Sequence, residues 1–208
     1  MGIELKNKGQ MFLISSIIII VILVILKASA NLPNIIEEKK QLESRFEDEF
    51  FTNIANCLLE VTEISYHQPE NITRNIFDFA NFTRKTMNER LLTFNLLYVD
   101  TITSYSSSKM NVTVVNLLNK PINVTLTLND SQSDSMNNIN DSTSWNTNFN
   151  INLGNDYILT ISYNNQFEGN LTVVTKTTKN TYSGFFDILL IGSEVTYKDK
   201  FQKSYTLP

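Results

Sequence analysis

The feature that most constrains this chain is an unbroken apolar segment, residues 11–26, that follows two lysines, Lys6 and Lys8. A helix over these residues would be roughly 24 Å long, and a helix over residues 10–30 would reach about 31 Å. The second length is enough to cross a hydrocarbon core of about 30 Å. Because helices of soluble domains are rarely apolar on every face, the segment predicts a transmembrane helix over residues 10–30.

The charges around this segment do not set its orientation, because Lys27, Lys39 and Lys40 follow it as closely as Lys6 and Lys8 precede it. The downstream composition does favour one side. It is rich in asparagine, threonine and serine and holds one cysteine, which is typical of an exported domain. The sequence therefore predicts a single-pass protein of the cell membrane, with the lipid bilayer as a partner, the N-terminus inside and residues 31–208 outside.

A second interpretation is a secretory signal that is removed. Ala28, Ser29 and Ala30 form a small-x-small site directly after the apolar segment, so a signal peptidase could cut after Ala30. Lys27, between the apolar segment and this site, is unusual for such a signal. The product would be a secreted or membrane-tethered β-sandwich binding module, and this remains the alternative function.

The residues Lys8, Gly9 and Gln10, followed directly by the apolar segment, resemble the class III signal peptide of archaeal type IV pilins and archaellins. The resemblance implies that a prepilin-type peptidase cuts between Gly9 and Gln10. It also implies that the apolar segment is retained and forms the helical core of a filament. Many pilins carry a glutamate at the fifth mature position, where this chain has Ile14, so the resemblance points to a minor pilin or to a pilin-like protein that stays in the membrane.

Residues 31–90 have the apolar spacing of a helix. Apolar side chains recur at steps of three, four or seven residues from Ile35 to Ile64, and a weaker pattern covers residues 75–90. Pro33 could begin a new helix or kink a helix that starts in the apolar segment. These apolar side chains form a stripe along one face of the helix, which would pack on its own domain or form a coiled-coil seam. The predicted organisation is a basic leader (1–9), a transmembrane or pilin-like helix (10–30), a helical stalk (31–90) and a β-sandwich domain (91–208).

Residues 91–208 have the pattern of short strands. The clearest is residues 122–128, where Ile122, Val124, Leu126 and Leu128 alternate with Asn123, Thr125 and Thr127. About eight such segments, without a helical pattern between them, predict an antiparallel β-sandwich. The predicted fold class is therefore α+β, with an N-terminal transmembrane helix and a helical stalk followed by an antiparallel β-sandwich head.

The residue types that carry chemistry are scarce. His67 is the sole histidine and follows a predicted helix, without a nucleophile motif nearby. Cys57 is the sole cysteine and fits a small buried side chain in that helix. Asp130, Asp134 and Asp141 could offer oxygen ligands to calcium, but their spacing matches no calcium loop, so a solvated hairpin loop is predicted. We predict no catalytic residues, no cofactor and no metal.

The net charge beyond Ala30 and the glycosylation sequons limit the classes of partner that the sequence favours. Beyond Ala30 the chain holds 14 Lys+Arg and 20 Asp+Glu, and this acidic balance disfavours nucleic acid as a partner. Seven Asn-x-Ser/Thr sequons are candidate glycosylation sites of an exported glycoprotein. They are Asn71, Asn81, Asn111, Asn123, Asn129, Asn140 and Asn170.

These observations lead to one functional prediction. The protein is a membrane-anchored, exported surface protein that acts as a pilin-like structural or adhesive subunit of the minor-pilin type, and it is not an enzyme. Its predicted partners are a prepilin-type peptidase and either other pilin-like subunits or a surface ligand.

Overall fold

The computed structural model describes residues 3–66, 69–104, 108–152, 155–163, 170–176, 181–192 and 195–206. Two helices precede nine strands along the chain. The helices are α1 (Ile3–Ser65) and α2 (Pro69–Glu89). The strands are β1 (Thr93–Ser104), β2 (Lys109–Leu117), β3 (Ile122–Leu128), β4 (Ser133–Ile139), β5 (Thr143–Asn150), β6 (Asp156–Tyr163), β7 (Asn170–Lys176), β8 (Thr181–Ile191) and β9 (Thr196–Thr206). The chain divides into two compact units, Met1–Glu47 and Asp48–Pro208.

The first unit is helical and contains Pro33 inside α1, so the proline does not begin a new helix. No helix within the described residues is both long and apolar enough to cross a membrane. The predicted transmembrane helix at residues 10–30, the fold class that included it and the single-pass location in the cell membrane are therefore wrong.

The second unit contains two antiparallel sheets. The five-stranded sheet has the order β5-β2-β1-β8-β9, and the four-stranded sheet has the order β4-β3-β6-β7. Their facing sides share one apolar core, to which Leu97 and Val112 contribute from the first sheet and Leu126 and Ile161 from the second. The Tyr163 hydroxyl of β6 also donates a hydrogen bond to the buried Asp187 carboxylate of β8, so a polar contact joins the two sheets.

The predicted facing of β3 is confirmed. Its four apolar side chains are buried, while Asn123 and Thr125 are exposed and Thr127 is half-buried. The alternation works because successive side chains of a strand point to opposite faces, so one face enters the core and the other meets water.

α2 and the part of α1 that belongs to the second unit form a layer on the other face of the five-stranded sheet. Ile54 and Leu58 of α1 and Ile72 and Ile76 of α2 pack against β1, β2 and β8 in a second apolar core. The part of the apolar stripe from Ile54 onward is therefore buried on its own sheet, which is one of the two arrangements that the sequence left open. Not every apolar residue of the predicted helical pattern is buried, since Ile64 is 79% exposed.

One strand differs from the sequence prediction. β4 lies inside the stretch that was predicted to be a solvated hairpin loop. β4 has a single buried apolar side chain, Ile139, so it has no hydrophobic alternation to reveal it. It is held by backbone pairing along β3, an interaction that the side-chain pattern does not report.

Candidate functional site

A polar groove lies on the helix-covered side of the five-stranded sheet, between α2 and the outer strands β2 and β5. It has two adjoining parts with cavity volumes of about 430 and 390 Å³. Thr73 of α2 and Ser144 of β5 line both parts. We refer to this feature as the α2–β5 groove. Its two volumes fall within the range of small-molecule sites, roughly 300–1,000 Å³.

Strand pairing explains why polar side chains collect here. Asn111 pairs with Asn148 and Thr113 pairs with Asn146 across β2 and β5, so the four side chains share the face toward α2. Asn111, Asn146 and Asn148 are all exposed. Within the described part of the chain none of these three amides hydrogen-bonds to another protein group. The groove therefore presents free amide donors and acceptors.

A buried carboxylate, Asp100 of β1, lies next to the groove. It pairs with Thr113 in the sheet and is 1% exposed. The Thr73 hydroxyl donates a hydrogen bond to its Oδ2 atom over 2.8 Å. Its Oδ1 atom has no hydrogen-bond partner among the described residues. Burial raises the pKa of Asp100 above its ordinary value, and hydrogen bonds from Thr73, Thr113 and Tyr98 oppose that rise.

Two buried tyrosines, Tyr98 and Tyr182, lie near Asp100 on the helix-covered face of the five-stranded sheet. The hydroxyls of Tyr98 and Tyr182 are 2.6 Å apart, and either one could be the donor. Burial raises the pKa of both phenols, and the nearby Asp100 charge raises them further. Gly184 of β8 pairs with Asp100 of β1. Because glycine has no side chain, the Tyr182 hydroxyl can occupy the space that a Cβ atom would fill. Tyr98 and Tyr182 therefore form a packed, hydrogen-bonded pair of neutral phenols.

An ion pair fixes α2 at one end of the groove. Arg84 donates from both terminal nitrogens to the two carboxylate oxygens of Asp141, each over 3.0 Å. Partial burial raises the pKa of Asp141, but hydrogen bonds from Arg84, Ser142 and the Asn119 backbone outweigh it and hold the pKa below its ordinary value. Because Ser142 also lines the groove, this bidentate pair positions the helix against the groove wall.

The sequence-predicted processing residues, Lys8, Gly9 and Gln10, lie in α1, and their side chains are outside the described residues. The predicted glycosylation candidates are not brought together. Asn71 and Asn81 are half-buried on α2, whereas Asn111, Asn123, Asn129 and Asn140 are exposed. The Asn170 side chain lies outside the described residues. Asn111 is the one exposed candidate that lines the α2–β5 groove.

The other chemistry-bearing residues are dispersed. His67 lies outside the described residues, and Cys57 is a free, half-buried thiol. Asp130 accepts from Gln132, Asp134 accepts from Thr147, and Asp141 binds Arg84. Among the residues that the structure describes, no group of three or more His, Cys, Asp or Glu side chains could hold a metal ion.

Sequence reasoning missed the groove and Asp100. One signal was available, because Asp100 interrupts the apolar run of residues 96–99 and a charge at that position in a strand is expensive unless it has partners. The partners could not be read from the sequence, since Thr73 lies 27 residues away.

Comparison with known proteins gave no relative: no family model matches the chain, and no curated protein is significantly similar to it.

Proposed function

We propose that this protein is a non-enzymatic, pilin-like subunit of the minor-pilin type, which assembles at the cell surface through the apolar segment of α1. One observation carries the proposal: each of the ten consecutive residues from Ile17 to Leu26 is 49–62% exposed. A covered isoleucine or leucine stabilises an assembly by about 1.5–3 kcal/mol, so such a segment strongly favours burial. Its β-rich second unit would supply the structural or adhesive surface.

Copies of the same segment are the partners that fit best. The exposed residues are consecutive, so they surround the helix, and one groove on one partner would cover only part of the circumference. Several identical helices packed side by side cover all of it. The resemblance of Lys8, Gly9 and Gln10 to a class III signal supports the same assembly, with a prepilin-type peptidase and other pilin-like subunits as partners. An archaeal source belongs to this proposal, and so does glycosylation of the sequons that lie outside the α2–β5 groove.

Ile20→Asp combined with Val24→Asp is expected to abolish assembly of the full-length protein. These residues are one helical turn apart, so the double change puts two charges on one face of the apolar segment. We expect oligomers of defined mass for the wild type and monomer for the variant by analytical ultracentrifugation. Ser135→Asp combined with Asn137→Asp adds the same charge to exposed positions of β4 and should assemble normally.

A cysteine scan over residues 17–26, in a Cys57→Ser background, separates ordered packing from aggregation. Ordered packing of copies should give disulfide cross-linking that rises and falls with the helical period of 3.6 residues. Uniform cross-linking, amorphous particles in electron micrographs or a monomeric wild type would each refute the assembly proposal.

Gly9→Val is expected to block maturation. Glycine at this position lets the peptidase approach the scissile backbone closely, and a β-branched side chain prevents that approach. Intact-mass measurement should find the native chain beginning at Gln10 and the variant uncut. Ala30→Val is the matched control and should leave the Gln10 start unchanged.

The secreted binding module remains a second candidate, because the α2–β5 groove offers free polar groups to a ligand. This candidate predicts a mature chain that begins at Asn31. Its cleavage should be blocked by Ala30→Val but not by Gly9→Val. That outcome would exclude the pilin-like proposal.

A further inference from the structure

The α2–β5 groove has a lining that suits an uncharged polar ligand. Its polar side chains are mainly hydroxyls and amides, such as Thr113, Ser144 and Asn146. Among the described residues that line it, the one charged side chain is Arg74, which lies 3.8 Å from the Asp78 carboxylate in an exposed ion pair. The groove therefore provides no concentrated charge for an anionic or cationic ligand.

Asp100 determines whether the Thr73 hydroxyl on the groove wall donates a hydrogen bond to a ligand or accepts one. Because the Thr73 hydroxyl uses its proton on the Asp100 carboxylate, the oxygen of Thr73 can only accept a hydrogen bond from a ligand. Thr113, which pairs with Asp100 across β1 and β2, adds a second hydroxyl to the groove wall. The Thr73 hydroxyl is thus fixed as an acceptor, and it matches a ligand that donates from a hydroxyl group.

The free amides complete the match. The side chains of Asn111 and Asn148 are cross-strand neighbours, and each offers both a donor and an acceptor. The half-buried Ile102 in one part of the groove and Phe77 in the other add apolar surface for the C–H faces of a ring. Adjacent hydroxyl groups joined by an apolar ring face are the chemistry of a sugar.

We propose that the α2–β5 groove binds a neutral saccharide, with Asn111, Asn146 and Asn148 as direct contacts and Asp100 as a positioning residue that acts through Thr73. This inference is independent of the assembly proposal, because the groove lies within the second unit and uses no residue of the apolar segment. It gives the predicted surface ligand a chemical class. A glycan attached to Asn111 would fill the same space and exclude a free sugar.

The test uses full-length protein made without glycosylation and kept in solution by a zwitterionic detergent that has no sugar headgroup. Glucose, galactose, mannose, N-acetylglucosamine, lactose and maltose are titrated separately while the asparagine side-chain signals are followed by nuclear magnetic resonance. We expect saturable shifts from at least one sugar, with a dissociation constant in the range of about 1 mM, as fits an open polar groove. Sialic acid and inorganic phosphate should bind more weakly than that sugar.

Two variants test the named roles. Asn111→Leu combined with Asn148→Leu removes two amides and should weaken binding about tenfold or more, whereas Asn137→Leu, an exposed amide on β4, should leave it unchanged. Asp100→Leu leaves no acceptor for the Thr73 proton, so Thr73 can donate to a ligand, and the change should reduce affinity and shift the preference among the sugars.

Several outcomes would overturn the inference. They are no saturable shift from any of the six sugars, an equal loss in the Asn137→Leu control, or stronger binding of phosphate or sialic acid. Retention of both affinity and preference in a folded Asp100→Leu protein would remove the positioning role. A disrupted assembly with intact sugar binding would leave this inference standing, which separates it from the assembly proposal.

Discussion

Val124→Asp is expected to lower the free energy of unfolding by about 3–5 kcal/mol, the cost of a buried charge without a partner. Val124 is 1% exposed on β3 and belongs to the core between the two sheets. The carboxylate would lose its hydration, because Val124 lies in the apolar core between the two sheets. Denaturant titration followed by circular dichroism measures the change, and the transition midpoint should fall sharply.

Thr125→Asp is the matched control for this prediction. It adds the same group one residue further along β3, where the side chain is exposed. We expect a change within about 0.5 kcal/mol, as is usual for surface substitutions. Equal stability losses in the two variants would show that the facing of β3 does not decide the effect.

Gly184→Ala is expected to be the second most damaging change, at about 1–3 kcal/mol, although it adds a single methyl group. A Cβ atom at this position would lie 2.5 Å from the Tyr182 hydroxyl oxygen and 3.3 Å from the Phe186 ring. The tyrosine would have to move, and its 2.6 Å hydrogen bond to Tyr98 would be lost or distorted. Thermal and chemical unfolding of the variant measure the cost.

A double-mutant cycle identifies the cause of that loss. Tyr182→Phe removes the hydroxyl that the new methyl group meets, so Gly184→Ala should cost less in that background than in the wild type. We expect a coupling of about 0.5–3 kcal/mol between the two positions. Strict additivity would mean that the clash with the Tyr182 hydroxyl is not the reason for the damage.

The strand pattern was predictable where one face of a strand is buried and the other is wet. β3 is such a strand, and its alternation alone gave its facing correctly. β1 and β8 are buried on both faces, because the helices cover one side of their sheet and the second sheet covers the other. Their sequences therefore indicate a strand but not which side chain faces which layer.

The candidate groove could not be predicted, because its parts come from distant places in the sequence. Thr73 reaches Asp100 from α2, and Arg84 meets Asp141 over a separation of 57 residues. In the sequence, Asn146 and Asn148 are ordinary polar residues of a strand. Their shared face with Asn111 follows from the register of β2 against β5, which is set by the pairing of whole strands.

By itself, the sequence determined the local periods: the apolar segment before residue 27, the helical spacing after it and the alternation of β3. Each of these follows from neighbouring residues on one helix or strand, so no knowledge of the remaining chain is needed. The tertiary structure alone decided that the stripe of α1 and α2 covers a sheet, that β4 pairs with β3 despite its polar sequence, and that Asp100 lies beside a groove of free amides. These features depend on contacts between elements, and such contacts arise only when burial and backbone pairing are satisfied for the whole unit at once.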